Sequence, residues 1–259
     1  MKLPLPDVLE LCQAAGFDFV VVDLEHSTLT EAEAIALVRH ADLLGLPALV
    51  RIPTVDVALI NRLLENGAVG VQLSTLQTVA QNLALRSATR FAPAGTRSVS
   101  LVNRVAGYGT KDLTDFLDAE RDSPPLLVGQ IESPMAEPLA EVIAGLDVAF
   151  VGSTDLAVSL GFRLGDAALV RTVEGIRRAT AEAGAAFGGW APSPAVAHDA
   201  GLSTASYLVT GSDLQILGAG LRETAASRSL VAPAPPIPWS SAAQPITTPG
   251  AGTNPEVTP

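Results

Sequence analysis

The sequence predicts an α/β fold, and within that class a (β/α)8 barrel whose first strand is missing or truncated. Three observations carry the prediction. Short apolar runs alternate with longer amphipathic ones, the runs themselves show little polar–apolar alternation, and the connections are short. Parallel strands covered by helices on their outer face are expected to read as such near-continuous apolar runs. A single domain of roughly 250 residues is ordinary for this architecture, and the chain has 259.

Taken in order, strands are expected over residues 17–23, 48–52, 70–74, 126–132, 148–153, 185–190 and 207–211. That makes seven, one short of a full barrel. Residues 6–15 read as a helix with no strand ahead of it, so the first strand is either reduced to residues 1–3 or absent because the chain begins late. A helix over 31–44 opens with Thr30 as N-cap and Glu33 three residues on, a capping box, and stops at Gly45. Another over 57–66 stops at Gly67. Ser133-Pro134 and Ser193-Pro194 each place a hydroxyl before a proline suited to a first helical turn. No Gly-x-Gly-x-x-Gly turn follows any strand, which weakens a dinucleotide-binding sheet. The barrel domain is expected to span residues 1–231. Residues 232–259 hold eight of the 19 prolines and one charge, Glu256, and read as a disordered tail.

Composition narrows the function. With 16 basic against 27 acidic residues, the net charge of −11 disfavours a nucleic-acid partner. Mean hydropathy is high at +0.35, yet no apolar run has membrane-spanning length and no signal-peptide core opens the chain. The single cysteine, Cys12, cannot form an internal bridge, so a cytoplasmic location is expected. Only two lysines occur, Lys2 and Lys111, and neither ends a strand, which argues against imine chemistry.

In a barrel, the carboxyl ends of the strands face one pocket. Here those ends carry Asp23 with His26, Arg51, Glu132 and Asp155, in a chain otherwise sparing with charge. Such groups must pair with each other, a metal or a ligand. Glu132 and Asp155 suit a hard cation completed by water and substrate oxygens. The competing reading pairs Glu132 with Arg51 and leaves Asp155 as a helix cap. Gln130, two residues before Glu132, shares its strand face and suits a supporting hydrogen bond. Arg51 presents a fork suited to a keto acid, or else bridges Asp23 and Glu132. His26 can form an acid–base dyad with Asp23, or be an idle loop histidine.

These residues resemble the HpcH/HpaI aldolase family, the metal-dependent, pyruvate-using class II aldolases. The resemblance runs from about residue 6 to about residue 220. Its fragments are Gly16-Phe17-Asp18-Phe19 with Asp23-x-Glu25-His26, then Val50-Arg51-x-Pro53, Gly67-Ala68-x-Gly70-Val71, Arg90-Phe91-x-Pro93-x-Gly95-x-Arg97, Gln130-Ile131-Glu132 and Val151-Gly152-x-x-Asp155-Leu156. It implies Glu132 and Asp155 as ligands of Mg²⁺ or Mn²⁺, with Co²⁺ as a further candidate. It implies Arg51 on the pyruvate carbonyl oxygen, His26 with Asp23 in acid–base chemistry, and the backbone of Gly152, Ser153 and Thr154 on the pyruvate carboxylate. It also implies homo-oligomers, dimers building into hexamers, with an exchanged C-terminal helix.

The expected activity is therefore aldol addition or cleavage of 4-hydroxy-2-oxo acids through a pyruvate enolate, with pyruvate and an aldehyde as small-molecule partners. Two rivals share the site. One is a related lyase, an oxaloacetate decarboxylase or a CoA-ester lyase, the latter needing Arg97, Arg104 or Lys111 for phosphates. The other is a catalytically retired barrel acting as a binding scaffold.

Overall fold

A computed structural model describes residues 1–198 and 200–227; the expected tail over 232–259 lies outside the described residues. The chain divides into two compact units, Met1–Gly218 and Ala219–Pro259. Within the first unit, seven parallel strands follow one another in sheet order as they do in the chain: β1 (Val20–Asp23), β2 (Ala48–Ile52), β3 (Gly70–Leu73), β4 (Leu126–Ile131), β5 (Val148–Val151), β6 (Ala186–Ala191) and β7 (Tyr207–Thr210). Helices alternate with them: α1 (Pro6–Ala14), α2 (Glu31–Leu43), α3 (Val57–Glu65), α4 (Val79–Thr89), α5 (Leu113–Asp122), α6 (Leu139–Val142), α7 (Ser153–Leu160), α8 (Ala167–Glu182), α9 (Pro194–Ala197) and α10 (Asp213–Ala226). The result is a near-closed barrel of seven staves. The second unit, as far as it is described, is the continuation of α10.

The eighth position is held by a short segment. Met1 nitrogen donates to Val21 O (2.6 Å) and Asp23 N donates to Met1 O (3.0 Å), so residues 1–3 lie against the free edge of β1. The next two amides, Lys2 N and Leu3 N, both donate to Asp213 Oδ2 at 2.7 and 2.8 Å. Residues 1–3 are thus joined to β1 by two backbone bonds and clasped to the start of α10. Unpaired strand edges are a liability, and this segment covers one.

Period-two alternation sorts each strand's residues between two cores. Outward residues such as Val22, Val50, Ile52, Val71, Leu127 and Val151 pack under the helices. Inward residues Leu49, Val128, Val148, Phe150 and Tyr207 fill the barrel, with Tyr207 stacked on Phe19 at 4.6 Å and edge-on to Phe150 at 6.0 Å. Register then sets the polar layer above them: Asp23 lies opposite Arg51, and Arg51 opposite Gln72.

Several expected boundaries move, each for a local reason. The strand expected from residue 17 begins at Val20, because Gly16 (φ 82°) and Phe17 complete the end of α1. Gly16 N donates to Gln13 O and Phe17 N to Cys12 O, the paired bonds of a Schellman motif. The capping box of Thr30 and Glu33 is present at the start of α2. The strand expected to reach residue 153 ends at Val151, and Ser153 instead opens α7. Ser133-Pro134 starts no helix: Ser133 Oγ accepts from Gln77 Nε2 (3.0 Å), and the short α6 begins only at Leu139. Pro194 does open α9, although the Ser193 side chain makes no capping bond.

Candidate active site

A cavity of about 430 Å³ opens at the carboxyl ends of the strands, lined among others by Asp23, Arg51, Gln72, Gln130, Asp155 and Trp190. Each comes from a strand end or the turn after it. Trp190, on β6, is anchored by its Nε1 donating to Gly211 O (3.3 Å).

Asp23 and Arg51 form the firmest pair. Arg51 Nε donates to Asp23 Oδ1 (2.8 Å) and Nη2 to Oδ2 (2.6 Å), a two-pronged contact between adjacent strands. Lys2 Nζ adds a second cation 3.0 Å from Oδ2, and the backbone amides of Glu25 and His26 donate to Oδ1. Burial alone would raise the Asp23 pKa, but Arg51, Lys2 and the His26 amide outweigh it and hold the carboxyl well below the usual carboxylate range. Burial likewise opposes the Arg51 charge, and the hydrogen bonds to Asp23, with Glu25 and Glu132 nearby, more than offset it.

Two expectations are corrected here. Arg51 bridges Asp23 to Glu25, whose Oε2 lies 3.0 Å from Nη1, and makes no ion pair with Glu132. The His26 ring does not rest on Asp23. Asp23 Oδ1 is engaged by the turn's own amides, which holds His26 by its backbone and sends the ring outward, 62% exposed, with Nε2 3.7 Å from Glu25 Oε2. The Asp23–His26 dyad is not formed.

Glu132 follows β4, and its carboxylate packs against Gly152 and Gln130 of the cavity wall. Gln130 Nε2 donates to Oε1 and Thr75 Oγ1 to Oε2, the latter at 3.1 Å. Burial raises the Glu132 pKa above its ordinary value, the two hydrogen bonds pull it down, and the negative charges of Glu25 and Asp155 push it up. Asp155 sits in the first turn of α7 and makes no capping bond. In that turn the amides of Ser153 and Thr154 have no acceptor within the helix, and both residues line the cavity. Gly152 N, by contrast, is committed to Ile131 O (3.0 Å).

The acidic group suits a hard divalent cation. Its donors are all oxygens. Glu25 Oε2 is buried and, despite its ion-pair distance to Arg51, receives no properly directed hydrogen bond. Among the described residues no three His, Cys, Asp or Glu side chains gather closely enough to hold a metal by themselves. Of the cations named for a CoA phosphate, Arg97 is buried to 1% side-chain exposure and bound to Asn61 and Glu120, and Arg104 is paired with Asp42. Neither is free for a phosphate.

Gln72, Thr75, Lys2 and Glu25 escaped the sequence reading of the site. Gln72 gave one usable signal: it is a polar residue on the inward face of an otherwise apolar strand. No described helix is long and apolar enough to cross a membrane.

Comparison with known proteins adds the following. The sequence profile of the HpcH/HpaI aldolase/citrate lyase family matches residues 2–204. A hydroxypyruvate/pyruvate aldolase of Cupriavidus necator is 30% identical over 233 residues, covering 88% of this chain and 86% of that one. A 5-keto-4-deoxy-D-glucarate aldolase of Escherichia fergusonii is 32% identical, covering 86% and 88%. Among solved structures, an HpcH/HpaI aldolase from Desulfitobacterium hafniense superposes with a TM-score of 0.82 at 25% identity, covering 90% of this chain and 92% of that one.

Proposed function

The chain belongs to the HpcH/HpaI aldolase/citrate lyase family, and on that footing we propose that it is a divalent-metal-dependent pyruvate aldolase, forming or cleaving 4-hydroxy-2-oxo acids. It is an enzyme of the aldolase and lyase class. The observation that carries the finer reading is the pairing of a fixed guanidinium, Arg51, with an acidic group of Glu132, Asp155 and Glu25 at one end of the barrel.

Glu132 and Asp155 are the residues suited to hold the cation, which when bound supplies Lewis acidity to the oxygens of a keto acid. Arg51 has more N–H donors than its contacts to Asp23 and Glu25 use. Arg51 lines the cavity, and its remaining donors are proposed to stabilise negative charge as it develops on the keto oxygen. Asp23 and Glu25 keep the guanidinium from swinging away, so this stabilisation needs little reorganisation during reaction. The Ser153 and Thr154 amides, at a helix N-terminus, receive the carboxylate of the keto acid. His26, exposed beside Glu25, is the proposed carrier of the proton of the new or departing hydroxyl, a role that needs its ring to turn towards the cavity. Pyruvate and an aldehyde are the proposed substrates. Homo-oligomers, up to a hexamer, belong to the same proposal, supported by the exposed Leu214, Ile216 and Leu217 of α10.

The test is incubation of the protein with pyruvate, Mn²⁺ and a panel of aldehydes. A 4-hydroxy-2-oxo acid adduct, lost on chelation and in Glu132→Gln, is expected. Failure to form adduct with every aldehyde while Mn²⁺ is bound would overturn the reading.

A further inference from the structure

The inside of the barrel carries a polar chain that the chemistry above does not use. Tyr207 on β7, Gln72 on β3 and Gln130 on β4 are all buried. Tyr207 Oη donates to Gln72 Oε1 (3.4 Å), Gln72 Nε2 donates to Gln130 Oε1 (2.5 Å), and Gln130 Nε2 donates to Glu132 Oε1. Gln130 and Glu132 are two residues apart and Gln72 and Gln130 lie on neighbouring strands, whereas Tyr207 and Gln72 are 135 positions apart on strands that do not pair, so the curl of the sheet brings the phenol into line.

The direction of this chain is dictated from one end. An ionised carboxylate only accepts hydrogen bonds. Glu132 therefore fixes the amide of Gln130 with its NH2 group outward, which turns the Gln130 carbonyl towards Gln72. Gln72 must then present its own NH2, leaving its carbonyl to accept from the phenol. Burial pushes the Tyr207 pKa up, so the hydroxyl stays protonated and able to donate. Read from the other end, the phenol and Gln72 keep Gln130 from turning its amide over, a flip that would set a carbonyl against the carboxylate. Linked hydrogen bonds of one polarity reinforce one another in a low-dielectric interior.

We propose that Tyr207 and Gln72 are positioning residues, which act through Gln130 to commit Glu132 Oε1 to an amide donor and so fix the carboxylate in the orientation that holds the cation. Thr75 secures the other oxygen from the opposite side. The consequence for the cation rests on the reading of Glu132 given under Proposed function. The relay itself does not.

Two measurements separate them. Calorimetric titration with Mn²⁺ is compared for the wild type, Tyr207→Phe, Gln72→Met and the double variant, and the side-chain amide resonances of Gln130 are followed by NMR in the metal-free proteins. Gln72→Met keeps volume and removes both links. It is expected to weaken Mn²⁺ binding about tenfold and to move the Gln130 amide protons upfield. Tyr207→Phe is expected to weaken binding about threefold in the wild-type background and to have no further effect once Gln72 is gone, since the phenol then has no route to Glu132. A merely structural role would give additive losses, and additivity overturns the proposal. So does an unchanged Gln130 amide signal in folded Gln72→Met. Should that variant not fold, Tyr207→Phe, which deletes one hydroxyl, decides alone: unmoved Gln130 resonances sink the relay. A wild type that binds no Mn²⁺, but whose Gln130 signals shift as described, leaves the relay standing and removes the cation reading instead.

Discussion

Gly152 lies so close to Glu132 that a β-carbon on it would fall 2.8 Å from Glu132 Cγ and 3.0 Å from Oε1. The turn between β5 and α7 thus acts as a backstop for the carboxylate after β4, and only a residue without a side chain fits there. Gly152→Ala is expected to displace Glu132 and break its bond with Gln130. Catalytic turnover should drop at least about tenfold, as for loss of a group that orients a ligand. The overpacking should lower stability by about 1–3 kcal/mol. Steady-state kinetics and chemical denaturation check the two parts separately.

Glu132 itself is expected to trade stability for function. Its raised pKa means that the ionised form is less favourable in the folded chain than in the unfolded one, with burial the largest cause. Near neutral pH its charge therefore subtracts from stability. Glu132→Gln removes that charge, so the metal-free variant should melt no lower than the wild type while Mn²⁺ binding and turnover are lost. A melting temperature well below wild type in differential scanning calorimetry would contradict this.

Asp23 behaves with the opposite sign. Its folded-state pKa lies below the ordinary 3.8, so its contribution is fully present above the unfolded value. It is lost as pH falls from there through the folded value. The stability gap between wild type and Asp23→Asn is thus expected to be constant at neutral pH and to narrow below about pH 4. Urea denaturation at a series of pH values measures it.

Arg51→Ala leaves Asp23 buried with only Lys2 as a cation. Breaking such a pair costs about 3–5 kcal/mol, less here to the extent that Lys2 compensates. Arg51→Lys retains charge but not the fork, and should recover most of the stability with little of the turnover. Equal loss of both properties in the two variants would separate Arg51 from the chemistry assigned to it.

The His26 side chain is exposed, its ring lying 3.7 Å from Glu25 Oε2. His26→Ala should change stability by no more than about 0.5 kcal/mol, while turnover falls about a hundredfold. Unaltered turnover would move the proton-transfer role elsewhere, with Glu25 the nearest alternative.

The barrel was legible because its cues are local. Apolar runs between capped helices name the staves, and Thr30 with Glu33 marks the start of α2 within four residues. Charged residues at strand ends stand out against an apolar background, as Asp23, Arg51 and Glu132 do. What escaped needed three-dimensional information. Asp23 and His26 are three apart, a spacing that suggests paired side chains, but the turn's amides reach the carboxylate first. Lys2 meets Asp23 only because residues 1–3 lie beside β1. Gln72 and Tyr207 look like packing residues in sequence, and their hydrogen bond spans 135 positions.

The clasp made by Asp213 bears on how the ring opens. Between the seven strands, a full ladder of backbone bonds must be undone for neighbours to part, whereas residues 1–3 hold to β1 by two backbone bonds and to the start of α10 by two amides on a single carboxylate. That joint is the weakest in the hoop, so transient parting should start there, and the Lys2 and Leu3 amides should exchange with deuterium sooner than those of β3 or β4. Since Lys2 also leans on Asp23, each such parting loosens one prop of the guanidinium's anchor, tying the tempo of catalysis to the looseness of a joint at the cavity's own rim.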